Sequence, residues 1–362
     1  MNKISICTVC MNRTAQLAQT LPVNIIDNIN HPNIEFIILD YNSKDGMEDW
    51  VKAHLSEYIN TGLVKYYKTY DPEYFSASHS KNMAVKLASG NINCLLDADN
   101  YAGPGYAQWV DSVFGNGEGK IIITTLRKEF IIYRDQGGKI CFRKDDFNAI
   151  NGFDEAFKSY GLEDVDVVRR MEKDGGTRVF IDDERYLRYI GHSHEERLAN
   201  YPLMNKIDSL YLQDPTSNKK SNKALYLFKD NSFMEVHYEF NAQLEKDILW
   251  SFGGWKIKSD GQKNGHFERI KNTLLLKFEK EPPVVYQQTN TGIVSYDTGD
   301  RVSWDKVPEK EELYFTLVMG YGECVNRIKY KENDGENPSV NAGGWGRGTV
   351  YFNFDTLQAI NI

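Results

Sequence analysis

Cysteine is scarce in this sequence, which argues against a disulfide-rich protein. The chain has 5 cysteines in 362 residues, and they are odd in number and scattered, so no disulfide framework is indicated. Cys7 and Cys10 form a C-x-x-C pair, but no second pair completes a zinc site. We therefore expect reduced, buried thiols in a cytoplasmic protein.

Long apolar runs and an excess of positive charge are also missing. Apolar stretches such as residues 35–39 and 121–126 fall far short of the ~20 residues that cross a bilayer. With 43 basic and 51 acidic residues, the net charge is −8. This charge argues against non-specific nucleic-acid binding and against a polybasic membrane anchor. An acidic chain can still bind a phosphorylated ligand if a divalent cation assists.

The first part of the sequence alternates short apolar runs with helical patterns. This order predicts a mostly parallel α/β sheet with helices on both faces, and ligands bind such sheets beyond the carboxyl ends of the strands. The predicted strands are residues 3–9, 34–39, 63–67 and 92–96. The predicted helices are residues 12–29, 47–59 and 78–88.

From about residue 225 the pattern changes to short aromatic-rich segments separated by turn residues. It predicts a smaller antiparallel all-β domain, a sandwich or barrel, which we expect to be sandwich-like. We expect domains at 1–205 and 225–362, joined by a linker at 206–224 that includes the polar stretch 214–223. The predicted strands are 224–228, 233–240, 248–257, 273–278, 284–287, 313–319 and 349–354.

Polar residues follow the predicted strands, and one group suggests a cation site. Asp97 and Asp99 come directly after an apolar strand and can face one ligand from its end. Two such carboxylates suit a divalent cation whose remaining positions are filled by a diphosphate. The alternative is a solvated turn, because Asp and Asn are common at strand ends.

Two later groups carry carboxylates and imidazoles. Residues 163–166, Glu-Asp-Val-Asp, occupy the first turn of a predicted helix, where they can act as a general base or only interact with the helix dipole. Asp166 and Arg170 have the spacing of an ion pair on the helix surface. His192 and His194 point the same way on an extended segment, which suits a metal, although surface histidines are the alternative.

The elements at strand ends resemble the nucleotide-sugar-dependent glycosyltransferases of the GT-A fold, specifically family 2. The matching elements are residues 4–13 and 36–46, Ser80-Lys81-Asn82, and Leu95-Leu96-Asp97-Ala98-Asp99. The resemblance implies that Asp40 contacts uracil, Asp97 the ribose and Asp99 the metal. It also implies nucleotide-sugar contacts from Thr8, Asn12, Arg13 and Lys81, although the family more often has Arg at the position of Lys81.

A second block resembles the carboxy-terminal half of the β-1,4-galactosyltransferase and polypeptide GalNAc-transferase catalytic domains. It comprises residues 137–147, Ile150-Asn151-Gly152-Phe153-Asp154 and 160–166, where Tyr160 and Leu162 replace a Trp and a Gly of the family pattern. The resemblance implies that Asp164 is the general base and Glu163 binds the acceptor. It implies a metal ligand at His192, with His194 as the alternative. Nitrogen ligation favours Mn²⁺ over Mg²⁺.

The sequence thus predicts a metal-dependent, inverting transferase that moves a hexose or N-acetylhexosamine from UDP-Gal, UDP-GalNAc or UDP-GlcNAc to a glycan or glycolipid, in surface polysaccharide synthesis. A location at the inner membrane face is the alternative to a free cytoplasmic protein. A non-catalytic glycan-binding protein and a nucleotidyltransferase are the alternative functions.

Four tryptophans of the second part are expected in the core, with stacking on sugar rings as the alternative. They are Trp250, Trp255, Trp304 and Trp345.

Overall fold

The chain folds into two compact units. The computed structural model describes residues 2–126, 136–213, 221–240, 255–296, 301–309, 311–335 and 338–362. One unit consists of Met1–His192 together with Asn326–Ile362, and the other is Ser193–Val325. This division differs from the expected one, because the end of the chain belongs to the first unit rather than to a separate C-terminal domain.

Nine strands of the described residues form one sheet in the first unit, in the order β17-β16-β3-β2-β1-β4-β6-β5-β7. β1, β2, β3 and β4 pair in parallel, and so do β5 and β7. β6 and β16 run antiparallel to both of their neighbours. The sheet is therefore mixed rather than mostly parallel. Its strands are β1 (Ile4–Cys10), β2 (Ile34–Tyr41), β3 (Val64–Thr69), β4 (Ile92–Leu95), β5 (Ile121–Thr124), β6 (Ile140–Arg143), β7 (Thr177–Phe180), β16 (Thr349–Phe352) and β17 (Ala359–Asn361).

Helices cover both faces of this sheet, as predicted. Alternate side chains of β1 enter two separate hydrophobic clusters, one that includes Ile4 and Ile6 and one that includes Cys7 and Val9. The first cluster packs under α1, α2 and α4, and the second under α3, α5 and α6. These helices are α1 (Thr14–Asn28), α2 (Met47–Asn60), α3 (Ala77–Leu87), α4 (Tyr106–Asn116), α5 (Lys144–Ala149) and α6 (Glu163–Lys173).

The second unit contains a closed antiparallel barrel with the strand order β10-β11-β12-β13-β14-β15-β8-β9. The expectation of a sandwich is therefore wrong, because β8 pairs with both β9 and β15 and closes the sheet. Its strands are β8 (Ile207–Gln213), β9 (Ser221–Phe228), β10 (Ser232–Phe240), β11 (Trp255–Ile270), β12 (Thr273–Phe278), β13 (Val284–Gln288), β14 (Gly292–Ser295) and β15 (Val302–Lys306). Two short helices precede the barrel, α7 (His194–Leu198) and α8 (Pro202–Lys206).

Three predictions for the later part of the chain need correction. Residues 313–319 are not a strand but lie in the long helix α9 (Glu312–Asn333). The strand predicted at 349–354 exists as β16, but it joins the first sheet beside β3. The expected linker at 206–224 contains β8 and the start of β9, and its residues 214–220 lie outside the described part of the chain.

Of the described tryptophans of the later part, Trp304 is a core residue, as expected, whereas Trp345 is partly buried and packs against a core cluster. Trp304 is 2% exposed in the barrel core, and Trp345 packs edge-on against Phe147 with ring centroids 5.5 Å apart. Trp250 and the side chain of Trp255 lie outside the described residues.

The cysteines whose side chains are described, Cys7, Cys10, Cys94 and Cys141, are free and buried, as expected. Among the described residues, no helix combines the length and the apolar character that crossing a bilayer requires.

Candidate active site

A buried lysine lies between the two acidic motifs of the sequence, residues 97–99 and residues 163–166. The Lys81 ammonium on α3 lies 2.7 Å from Asp164 Oδ1, 3.8 Å from Glu163 Oε1 and 3.9 Å from Asp97 Oδ1. Asp97 follows the end of β4, whereas Glu163 and Asp164 begin α6. Residues far apart in the sequence thus meet at the carboxyl edge of the sheet, where the βα order places a ligand.

The electrostatics of this cluster keep the lysine charged and make the carboxyls weaker acids. Burial alone would lower the pKa of Lys81, but Asp164, Asp97 and Glu163 outweigh it and raise the pKa. Burial raises the pKa of Asp164, and Lys81 opposes this rise. Burial and the neighbouring Asp164 likewise raise the pKa of Glu163. Carboxyls with raised pKa values beside a permanent cation are suited to exchanging protons with a ligand.

The helix that carries this acidic turn is held by a buried network. Asp166 accepts a hydrogen bond from Arg170 Nε at 2.7 Å, and this pair is 1% and 6% exposed, not on the helix surface as expected. The other two nitrogens of the Arg170 guanidinium donate hydrogen bonds to the carbonyls of Ile150 and Gly152. The i, i+4 spacing was recognisable in the sequence, but the carbonyls that bury the pair were not.

Asp99 and His192 come together because two backbone segments pair. Ile190 N donates to Asp99 O at 2.8 Å, and Tyr101 N donates to Arg188 O at 3.0 Å. This short antiparallel contact brings His192 Nδ1 to 3.3 Å from Asp99 Oδ2. We call Asp97-Ala98-Asp99 the D-x-D element. The structure therefore places its second Asp next to the first of the two candidate histidines.

The geometry of this pair fits a divalent cation. Two donor atoms bound at right angles to one ion, each at ~2.1 Å, lie roughly 3 Å apart, close to the separation of Asp99 Oδ2 and His192 Nδ1. No group of three or more His, Cys, Asp or Glu side chains able to hold a metal occurs within the described ranges. Within the described residues, this pair therefore offers two donor atoms, and the other positions of a cation bound there would be open to further ligands.

His194 lies at the start of α7 in the second unit. Its Nδ1 is 2.5 Å from Glu312 Oε1, at the start of α9. Ser193 caps α7 in a capping box with Glu196. The backbone pairing within the first unit brings His192 to Asp99.

Gly138 and Lys139 support the D-x-D segment, and sequence reasoning did not single them out. A Cβ at Gly138 would overlap the Asp97 carboxylate, so glycine leaves the space that this carboxylate fills. Lys139 is fully buried and donates to the carbonyls of Tyr101 and Tyr186. Burial lowers its pKa to about 8. A Gly-Gly-Lys run before a strand was the available signal, although nothing in it indicated these partners.

Asp40 is fully buried, and its carboxylate is occupied within the protein. Ser43 N donates to Oδ1 at 2.7 Å, and Tyr66 OH donates to Oδ2 at 2.6 Å. Lys68 Nζ lies 3.4 Å from Oδ2. In this structure Asp40 therefore fixes the loop after β2, which borders the expected nucleotide site.

The remaining expected nucleotide contacts lie at the end of β1. Thr8 is buried within the strand, two residues before its end. Asn12 is exposed with a left-handed φ of 54°, and its side-chain oxygen accepts a hydrogen bond from Lys44 N at 2.6 Å. Arg13 precedes the first turn of α1. The structure thus places Asn12 and Arg13 in the turn between β1 and α1, tied to the loop after β2.

Two family models match the part of the chain that forms this site. Residues 5–132 match the model described as glycosyl transferase family 2, and residues 121–195 match the one described as N-terminal domain of galactosyltransferase. The first match contains Asp97 and Asp99, and the second contains Glu163, Asp164 and His192. No curated protein sequence matches the chain.

Several solved structures are similar to part of the chain. A mannosyltransferase from Pyrobaculum calidifontis in complex with GDP-Man and Mn²⁺ is 16% identical, with 50% of this chain and 55% of that chain covered and a TM-score of 0.41. TarS 1–349 from S. aureus in complex with UDP is 15% identical, with 56% and 63% covered and a TM-score of 0.42.

A Drosophila β1,4-galactosyltransferase 7 mutant in complex with manganese, UDP-Gal and xylobiose is 14% identical, with 54% and 74% covered and a TM-score of 0.38. The chain thus spans less than two thirds of the length of the mannosyltransferase and of TarS 1–349. The similarity of this part of the chain therefore rests on the two family models. Residues 5–195 resemble glycosyltransferases, through one segment that matches the family 2 model and a second segment that matches the galactosyltransferase model.

Proposed function

We propose that this enzyme is a metal-dependent, inverting glycosyltransferase that moves a hexose or N-acetylhexosamine from a UDP-sugar to a hydroxyl of a glycan or glycolipid. The observation that carries the proposal is the position of Lys81, within 4 Å of Asp97 and of both carboxylates of the Glu163-Asp164 pair. The D-x-D element and the acidic turn therefore belong to one site.

Asp164 is the proposed general base. Its carboxylate begins α6 beside Lys81, and the side chain is 17% exposed, so a ligand can reach it. It accepts the proton of the acceptor hydroxyl as that oxygen attacks the anomeric carbon. A base on the face opposite the leaving group implies one displacement and inversion of the anomeric centre. Glu163 is proposed to bind the acceptor.

Asp97 and Lys81 are proposed to face the nucleotide part of the donor. The Asp97 side chain is 34% exposed, and in the family its position contacts the ribose. The Lys81 ammonium, which lies 3.9 Å from Asp97 Oδ1, is proposed to approach the nucleotide from the same side. Asn12 and Arg13 border the same edge, and Asp40 is proposed to act through the loop that it holds.

Asp99 and His192 are proposed to hold the cation, Mn²⁺ rather than Mg²⁺, because one ligand is a nitrogen. When bound, the cation would neutralise negative charge on the leaving diphosphate. The donor is proposed to be UDP-Gal, UDP-GalNAc or UDP-GlcNAc, used in surface polysaccharide synthesis on the cytoplasmic side of a membrane.

Binding of UDP, measured by titration calorimetry with Mn²⁺ and with EDTA, tests this proposal. We expect binding with Mn²⁺ that weakens at least about tenfold in EDTA, in Asp99→Asn and in His192→Ala, since each loses a ligand contact. His194→Ala is the matched control and should bind UDP as the wild type does. Equal binding with EDTA, or an equal loss in His194→Ala, would contradict the proposal.

A further inference from the structure

The last turns of α9 present a row of polar side chains to the region around α6. Asn326, Lys329, Tyr330 and Asn333 have the i, i+3, i+4, i+7 spacing of one helix face. Tyr330 OH accepts a hydrogen bond from Arg169 at 2.6 Å, and Asn333 donates to Asp154 and Asp166 at 2.8 and 3.0 Å. Lys329 Nζ lies 3.4 Å from Asp154 Oδ2. Lys329, Tyr330 and Asn333 therefore all contact α6 or the segment before it.

Asn326 makes a different contact, with the turn just before the acidic pair. It is 1% exposed, and its side-chain amide donates to Ser159 O at 2.8 Å and to Gly161 O at 2.7 Å. Both partners are carbonyls, so only the NH₂ group of the amide can face them. One side chain thus joins two carbonyls on either side of Tyr160.

The backbone of this turn is strained at Leu162. Its φ of 73° lies in the left-handed region that a non-glycine L residue adopts only at a cost, and it follows Gly161, whose φ of 90° costs a glycine nothing. Such conformations persist where the surroundings hold them. Leu162 O accepts the hydrogen bond of Asp166 N at 2.9 Å and so starts α6. The direction in which Glu163 and Asp164 leave the turn depends on this conformation.

We infer that Asn326 is a positioning residue for glycosyl transfer, which holds the turn 159–162 in the strained conformation that presents Glu163 and Asp164 to the acceptor. The inference rests on the proposed function in one respect, the role of these two carboxylates. Asn326 itself touches no substrate, and its effect passes through the backbone of Gly161 and Leu162.

Steady-state kinetics of Asn326→Ala test the inference. We expect kcat for transfer to fall about tenfold or more, because the base is no longer held in place. The affinity for UDP with Mn²⁺ should stay within about twofold, since Asp99 and His192 are untouched. Tyr330→Phe is the matched control on the same helix face, and its kcat should stay within about twofold of the wild type.

A second substitution separates positioning from a general loss of stability. Glycine adopts a positive φ without strain, so Leu162→Gly should restore kcat about fivefold in the Asn326→Ala background. If kcat of Asn326→Ala stays at the wild-type value, or if Leu162→Gly only adds to the loss, the inference is wrong. Should Asn326→Ala fail to fold, Asn326→Ser keeps one donor and is judged by the same criteria.

Amide hydrogen exchange provides a readout that does not depend on turnover. In Asn326→Ala, the amides of residues 159–163 should exchange at least about tenfold faster, while residues 167–173 of α6 keep their protection. Unchanged exchange in the turn would overturn the inference. A wild-type enzyme without activity on any donor would instead count against the proposed function, and the exchange result would still decide the role of Asn326.

Discussion

At the scale of single residues, the site depends on a glycine that leaves room for the side chain of Asp97. Gly138 has no Cβ, and the Asp97 carboxylate fills the space where one would lie. The sequence showed a Gly-Gly-Lys run, but it could not show which side chain folds against it. The position of Asp97, about forty residues earlier in the chain, is therefore a property of the folded sheet.

Gly138→Ala is expected to displace Asp97 and to weaken UDP binding at least about tenfold, because the added methyl cannot share the space of the carboxylate. The matched control is Gly115→Ala, at an exposed position in α4 where a Cβ meets nothing within 4 Å. That change should leave binding unaltered and slightly stabilise the helix. Calorimetry with UDP and Mn²⁺ compares the two, and equal affinities would show that Asp97 does not bind the donor.

The ionisation of Asp164 predicts how transfer depends on pH. Burial raises the pKa of this carboxyl, and Lys81 partly opposes the rise. As the proposed base, Asp164 would act when deprotonated, so the rate should increase with pH, with a midpoint above the ~4 of an ordinary aspartate.

Lys81→Met should move this midpoint to higher pH, whereas Lys81→Arg keeps a positive charge and should move it less. Transfer rates at saturating donor and metal, measured across pH, supply the test. A midpoint that moves down in Lys81→Met would contradict the assignment of Asp164 as the base.

At the scale of elements, a buried carboxylate ties the parallel strands together. Glu35 in β2 accepts hydrogen bonds from Ser5 in β1, from Lys65 in β3 and from Ser89, and its side chain is 3% exposed. Burial alone would raise the pKa of Glu35, but these donors outweigh it and hold the pKa at about 2. The folded state therefore favours the ionised form.

Glu35→Gln should lower the free energy of unfolding at pH 7 by about 2–3 kcal/mol. Because the pKa is depressed in the folded state, this stabilisation is present above pH ~4.5 and is lost as the pH falls towards ~2. The two proteins should therefore converge in stability over that range. Urea unfolding across pH measures the difference, with the exposed Glu57→Gln as control. A constant difference at all pH values would refute the role given to Glu35.

Individual elements of the first unit were predictable because their patterns are local. The strands and helices up to β4 lie within about two residues of the predicted bounds, since alternating and helical apolar periods mark them directly. Residues 313–319 were mistaken for a strand, because a short apolar and aromatic run does not distinguish a strand from a buried helix. The polar face of α9 that begins at Asn326 is the signal that could have corrected this.

At the scale of the whole molecule, the end of the chain completes the first unit. Asn353 exchanges hydrogen bonds with the backbone of Tyr66, through Asn353 N to Tyr66 O at 2.8 Å and through Tyr66 N to Asn353 Oδ1 at 3.0 Å. Tyr66 in turn donates to Asp40. The change in composition near residue 225 indicated a second part of the chain, but pairing between β3 and β16 involves residues too distant for any local pattern to reveal.

A chain that ends at residue 338 should therefore lose more than an accessory segment. Without β16 and Asn353, β3 becomes an edge strand and Tyr66 loses its two hydrogen bonds to Asn353, so we expect a lower unfolding temperature and weaker UDP binding. Leu357→Ser, at a residue 95% exposed, is the control and should change neither. Calorimetric unfolding and UDP titration report both effects. A shortened chain as stable and as competent as the full chain would contradict this role.

The central claim is that one site, built around Lys81, transfers a sugar from a UDP donor with Asp164 as base. Turnover of a panel of UDP-sugars in the presence of acceptor glycans, with Mn²⁺ or EDTA, tests it most directly when the wild type is compared with Asp164→Asn. We predict one donor consumed only with the metal, an inverted anomeric centre in the product, and a rate at least about a hundredfold lower in Asp164→Asn at unchanged UDP affinity. Full turnover by Asp164→Asn, or no metal-dependent binding of any UDP-sugar, would contradict the account.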